Sequence, residues 1–230
     1  PRHVTIRSAS CSNLSNYGMI IIAEYANQTV ESMTSIDQLL EEQIDAPTLM
    51  GLRREIANKT GAGTCTSSVF FGGQGGPQQV ALLRLGKQNS RKDARKVGGI
   101  LADLISDLNV DQKCAVVLSN SGQQNMTGLD ELLSAFWTGL YNDQRFRGTD
   151  VASSKAVHID ELHSVDFIVD QASEEVGEDV RRGRIMAEAV YLARDIVNAP
   201  HNVLNSCSMA ATAMQLAKRH GRRLLCKVLD

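Results

Sequence analysis

The spacing of hydrophobic and polar positions changes period several times along the 230 residues. Val4-Thr5-Ile6 and Gly18-Met19-Ile20-Ile21-Ile22-Ala23-Glu24-Tyr25 are short, β-branched runs bounded by Ser, Asn and Gly, a pattern that predicts strands. Between Glu31 and Asp45 the period becomes helical, with Ile36, Leu39, Leu40 and Ile44 on one face, and Leu49, Met50, Leu52 and Ile56 continue it after Pro47. Two more strands are predicted at Thr66–Phe71 and Val80–Leu85, with the Gly72–Pro77 cluster between them reading as a tight connection. A helix capped by Asn89 or Ser90 then buries Val97, Ile100, Leu101, Leu104, Ile105 and Leu108, and Cys114–Leu118 is the next strand. Thr127 opens a helix with Leu129, Leu132, Leu133, Phe136 and Leu140 on one side, and Val157–Asp160 and Val165–Val169 are further strand candidates.

The last third of the chain reads differently. A long helix starts near Ser173-Glu174-Glu175, where carboxylates suit the positive end of the helix dipole, and its apolar stripe is Ile185, Met186, Ala189, Val190, Ala193, Ile196 and Val197. It stops at Asn198-Ala199-Pro200, because the residue before a proline is pushed out of the helical region and proline cannot donate the next hydrogen bond. A second helix capped by Ser206 or Ser208 follows through Ala210, Ala213, Met214 and Ala217, with Gly221 as its C-cap, and Leu224–Leu229 reads as a buried strand. Strands alternating with helices over the first ~170 residues argue for an α/β layered domain with a mixed sheet. The reading therefore divides the chain into an α/β domain at 1–171, a linker helix at 172–198, and at 199–230 the first α and β elements of an incomplete second α/β domain, too small to bury a core alone.

Composition narrows the class. An apolar fraction of 43% with 22% charged residues belongs to a globular protein, and a net charge of −2 offers no attraction for nucleic acid or an anionic membrane. The apolar run Met19–Ala23 is far short of the roughly 20 residues needed to span a bilayer. Cys11, Cys65, Cys114, Cys207 and Cys226 are odd in number and scattered, which favours reduced thiols in a reducing compartment, the cytoplasm or an organelle interior. The sequence starts at Pro1 without a signal pattern, so a targeting peptide is expected to have been removed or never present.

Candidate chemistry is sparse. The Gly72–Gly76 loop fails the dinucleotide fingerprint at Gln78 and has no following Lys-Ser or Lys-Thr, and Gly86-Lys87-Gln88 lacks the upstream glycine of a phosphate loop. His158 and His163 stand five apart rather than the four that puts two zinc ligands on one helical face, and His3, His201 and His220 have no Cys or carboxylate at ligand spacing. No Gly-x-Ser-x-Gly elbow is present. Glu174, Glu175, Glu178 and Asp179 lie beside Arg181, Arg182 and Arg184 and read as a solvated, ion-paired face. No catalytic, cofactor-binding or metal-binding residue is assigned.

Two segments carry a resemblance. Phe136-Trp137-Thr138-Gly139-Leu140-Tyr141-Asn142-Asp143-Gln144-Arg145-Phe146-Arg147-Gly148 resembles the "G-L-Y-x-D-x-R-F-K" stretch of the leucine aminopeptidase (cytosol aminopeptidase) family. Ala193-Arg194-Asp195-Ile196-Val197-Asn198-Ala199-Pro200-His201-Asn202-Val203-Leu204 resembles its "A-R-D-L-V-N-x-P-x-N-x-L-T-P" junction, and Leu82–Lys87 is similar to its "L-V-G-L-G-K" strand. Asn205-Ser206 stands where that family has Thr-Pro, a change of helix cap. The resemblance implies a macrodomain-like, three-layer N-terminal domain, a linker helix, and a C-terminal metallopeptidase domain. In that domain two divalent metals, Zn or Mn, would polarise the peptide carbonyl and activate water. It further implies a homo-oligomer, a hexamer in the family, acting on peptides, with its own C-terminal domain as partner and neither nucleic acid nor membrane. The family's "K-S-D-M" and "N-T-D-A-E-G-R" ligand motifs are absent from the 230 residues, so the chain as given is expected to be a non-catalytic assembly portion. The alternatives are a structural or binding subunit that kept the fold without peptidase activity, and a macrodomain-like ADP-ribose binder, the latter resting on fold analogy and the glycine loop.

Overall fold

The computed structural model describes residues 4–25, 34–59, 61–72, 76–87, 90–106, 113–119, 128–143, 145–146 and 165–229. The expected strand Val157–Asp160 and the candidates His3, His158 and His163 lie outside them, as do Thr127, Asn89 and Leu108.

Six strands form one mixed sheet: β1 (Val4–Ser8), β2 (Met19–Glu24), β3 (Cys65–Gly72), β4 (Gly76–Arg84), β5 (Cys114–Leu118) and β6 (Val165–Val169), in the order β1-β6-β5-β2-β4-β3. All neighbours are parallel except β3, which pairs antiparallel with β4 down to Gly72 opposite Gly76. The central strands are apolar on consecutive residues because both sheet faces are covered. Ile20, Ile22, Val80, Leu82, Ala115, Val117 and Ile168 meet the helices α1 (Ser35–Gln43) and α2 (Ala46–Ile56). Met19, Ile21, Ala23, Leu83, Val116 and Phe167 face α3 (Arg91–Ser106), α4 (Leu129–Gly139) and α5 (Glu174–Asn198). A sixth helix, α6, spans Ser206–His220. The fold is thus a three-layer α/β arrangement, as the alternating pattern implies.

Local chemistry sets the helix ends. Thr34 and Asp37 form a capping box on α1, and Asp45 caps α2 through the Thr48 N–H at 2.9 Å, with Pro47 inside the first turn where no donor is lost. Ser90, one of the two caps the sequence offers, accepts from the Asp93 N–H at 3.2 Å at the start of α3. Met50 is a correction: it is 70% exposed, because the buried stripe of α2 is Leu49, Leu52 and Ile56 and Met50 lies about 100° round the helix from Leu49.

Two larger corrections concern the end of the chain. The long helix buries Val176, Gly183 and Ala187, whereas Ile185, Met186, Val190 and Val197 of the expected stripe are 36–81% exposed. The reason is size: α5 approaches α4 so closely that a Cβ on Gly183 would lie 2.7 Å from the Asp130 carbonyl oxygen, so the contact face is made of small residues. Leu224–Leu229 forms no strand and is exposed, Leu225 by 92%, since no strand edge among the described residues pairs with it. Helix α6 buries none of its residues, and its N-cap is Asn205, which makes a capping box with Ser208. Gly221 is its C-cap, as the sequence indicates.

The α3–α4 contact is equally close. A Cβ on Gly98 would lie 2.1 Å from the Leu132 carbonyl oxygen, whereas one on Gly99 meets nothing within 4 Å. Gly98→Ala is therefore expected to destabilise by about 1–3 kcal/mol through overpacking. Gly99→Ala, one residue along, is expected to stabilise by about 0.5–1 kcal/mol through helix propensity. Urea unfolding of the two variants checks this, and equal signs would contradict the packing.

Candidate functional site

The two sequence segments singled out at 136–148 and 193–204 lie 45 or more positions apart, yet the fold brings their polar residues together. Helix α4 ends at Gly139, and the chain turns so that Tyr141, Asp143 and Arg145 reach the last two turns of α5. The Tyr141 hydroxyl donates to Asp195 Oδ1 at 2.7 Å and accepts from Asn198 Nδ2 at 3.4 Å. Arg145 holds Asp143 with two parallel bonds of 2.9 Å and reaches Asp195 Oδ1, also at 2.9 Å. The other side of the turn is closed by Arg194, which donates to the Thr138 carbonyl at 2.7 Å and lies 5.3 Å from the centre of the Tyr141 ring. Tyr191 packs on Tyr141 with centroids 5.0 Å apart and donates its hydroxyl to the Trp137 carbonyl.

This constellation is a latch. The Arg145–Asp195 pair is half-exposed, with Arg145 49% and Asp195 41% accessible, so alone it contributes ~0–1 kcal/mol. The bidentate geometry and the shared arginine make the network worth more than a count of pairs. The Arg145 guanidinium holds the Asp143 carboxyl down at about 2, against an ordinary 3.8, and the arginine is in turn pushed up chiefly by its bonds to Asp143. Tyr141 is pushed up, first by desolvation and then by its bond to Asp195. Both carboxylates are thus engaged by one arginine and a phenol.

The other sequence candidates are placed as follows. Gly86 adopts φ +86°, and the Lys87 N–H that follows is already taken by Asp93 Oδ2 at 3.0 Å, so this glycine serves a turn onto α3 rather than a phosphate. Gly73–Gly75 lies outside the described residues. Glu178 pairs with Arg181 at 2.7 Å, Asp179 with Arg182 at 3.8 Å and Arg184 with Glu188 at 3.0 Å, the ion-paired face expected of that stretch. His201 and His220 are exposed. Among the described residues no group of three or more His, Cys, Asp or Glu is placed to hold a metal, and no helix is long and apolar enough to cross a membrane. All five cysteines are free; burial pushes the Cys114 thiol up to about 12, which makes it inert.

Sequence reasoning missed two buried polar clusters. Asp166 on β6 accepts from Arg7 at 2.8 Å and from the Tyr17 hydroxyl at 2.6 Å, and burial followed by that bond pushes Tyr17 up to about 12. Glu24 and Arg84, opposite one another on β2 and β4, pair at 2.9 Å, with Arg53 adding a 3.3 Å contact from α2. The only signal for either is a lone charge inside an apolar strand run.

A three-layer α/β domain that ends in a latched helix is the class this geometry defines. Among solved structures, the chain is similar to a tomato leucine aminopeptidase variant, with a TM-score of 0.68 and 18% identity over 96% of this chain and 43% of that one. It is also similar to the bottromycin maturation enzyme BotP in complex with Mn, with a TM-score of 0.55 and 16% identity over 88% and 36%. At these identities the likeness speaks for the fold. Among curated proteins it is 30% identical over 145 residues to the probable cytosol aminopeptidase of Sulfurihydrogenibium sp. (strain YO3AOP1), covering 62% of this chain and 28% of that protein. It is 26% identical over 185 residues to the putative leucine aminopeptidase 1 of Oryza sativa subsp. japonica, covering 76% and 33%. No protein-family profile matches the chain. The chain is similar to the leucine (cytosol) aminopeptidases, and it spans about a third of the length of the curated relatives it matches.

Because Asp143 titrates at about 2 when latched and at 3.8 otherwise, its contribution is present above pH 3.8 and is lost as pH falls towards about 2. Acidification over that window is expected to speed amide exchange at residues 191–198 relative to β2, and to change the emission of Trp137, whose carbonyl is gripped by Tyr191. In Asp143→Asn this acid-dependent step should be absent; an unchanged step would show that the carboxylate does not hold the latch.

Proposed function

We propose that this chain is the N-terminal, non-catalytic assembly portion of a leucine aminopeptidase-type metallo-exopeptidase that releases N-terminal amino acids from peptides. In this reading residues 1–171 are the assembly domain, 172–198 the linker helix and 199–230 the beginning of the metallopeptidase domain. The observation that carries it is the latch: the two segments that resemble the aminopeptidases, remote in sequence, close on one another through Tyr141, Arg145 and Asp195. The relatives' names supply the activity, and their length, about three times the matched part, leaves room for a catalytic domain beyond it.

The described residues themselves do not fit a two-metal centre. The acids nearest to one another in the latch are neutralised by Arg145, and Glu178, Asp179 and Glu188 on α5 are paired with Arg181, Arg182 and Arg184. The two divalent metals, Zn or Mn, belong in this reading to the C-terminal domain, where they would polarise the scissile carbonyl and activate water. No step of the reaction is assigned to a residue of this chain. Its contribution is to fix the direction in which the linker helix leaves the sheet, and so the placement of the catalytic domain within a hexamer.

The 230-residue chain is expected to hydrolyse no leucyl-anilide substrate, with or without added Mn or Zn. Turnover that survives repurification and is abolished by chelation would contradict the assignment.

A further inference from the structure

Helix α5 carries two apolar stripes, and only one is covered. The covered stripe is Val176, Gly183 and Ala187 against α4. Beside it run Met186, Val190, Ala193 and Val197, separated by four, three and four residues, the spacing that presents a straight seam to another packed body. Met186 is 40%, Val190 36% and Val197 81% exposed, and Ile185 next to the seam is 52% exposed. A helix that is apolar on two sides needs a packing layer on each.

We infer that this seam is the seat of the catalytic domain assigned above to the longer protein, an inference that rests on that reading. Three observations select this occupant over a second copy of the chain. The exposed apolar surface continues from the seam in chain order, through Met209 and Met214 of α6 to Leu225 and Leu229. Helix α6 is capped at both ends yet buries nothing, and Leu224–Leu229 is an exposed apolar run with no strand beside it among the described residues, so both elements are shaped to pack against a further body. The curated relatives extend over about three times the matched length, which supplies a body of sufficient size. The latch then has a purpose beyond local order. By fixing Asp195 and Asn198 to Tyr141 and Arg145, it fixes the rotation of α5 and hence the direction in which the seam faces. The occupant is apolar, since Arg181 and Arg184 on the same helix are satisfied by Glu178 and Glu188 and need no partner charge.

The test compares amide exchange in the 230-residue chain with that in the chain extended along its natural reading frame. In the extended protein, exchange over 185–197 should slow by ~10-fold or more. The slowing should be insensitive to salt, and should be lost in the triple variant Met186→Ala, Val190→Ala, Val197→Ala, which preserves helix propensity. Met50→Ala, at another exposed apolar residue, should leave it unchanged. An extended protein that cleaves leucyl peptides but shows no slowing overturns this inference and leaves the aminopeptidase reading standing. Slowing without peptidase activity supports the seat and contradicts the activity. Concentration-dependent protection already present in the 230-residue chain assigns the seam to a second copy and overturns the inference, as does slowing that vanishes in high salt. A reading frame that stops at Asp230 overturns both.

Discussion

Helix α5 runs for 25 residues, roughly 37 Å, and is gripped in two different ways along that length. Its N-terminal half is held by close approach: Gly183 and Ala187 let its backbone sink against α4, where dispersion contacts accumulate because nothing protrudes. Past the end of α4 no such surface continues. There the helix is held by side chains that reach up from the turn after Gly139, with Tyr141 and Arg145 meeting Asp195 and Tyr191 returning to the Trp137 carbonyl. Without this second grip the last turns of α5 would project from the domain as an isolated helical end, and short unsupported helices are marginal in water.

Much of this architecture is legible in the sequence, because strands covered on both faces and amphipathic helices leave simple periods. β2, β5 and β6, and the stripes of α1, α3 and α4, follow from spacing alone. The α5 contact face does not, and the cause is physical. Reading by hydrophobicity selects the largest apolar residues, whereas the closest helix contacts are made by the smallest, so Ile185 and Val190 outrank Gly183 and Ala187 on paper and lose to them in space. Leu224–Leu229 has the composition of a strand but no edge among the described residues to pair with, and a strand is defined by its neighbour. Asn205 left a usable signal in its spacing to Ser208, which the competing cap candidates Ser206 and Ser208, both following it, obscured.

The functional region was legible in pieces but not as an assembly. Each of the segments around Tyr141 and Asp195 is recognisable by itself, while their contact depends on how α4 and α5 cross, which one-dimensional spacing does not encode. Once assembled, the charges answer one another: Asp143 is held near a pKa of about 2 by an arginine that also takes Asp195. The same holds deeper in the sheet, where Asp166 is engaged by Arg7 and Tyr17. Among the described residues, exposed large apolar side chains are concentrated towards 185–229.

The placement of the last turns of α5 depends on the contact between the two segments. A double-mutant cycle between Tyr141→Phe and Asp195→Asn, read as the local opening free energy of residues 191–198 by amide exchange, measures it directly. The latch predicts a coupling of about 0.5–3 kcal/mol, the range for residues in one hydrogen-bond network. Strict additivity of the two substitutions would contradict it.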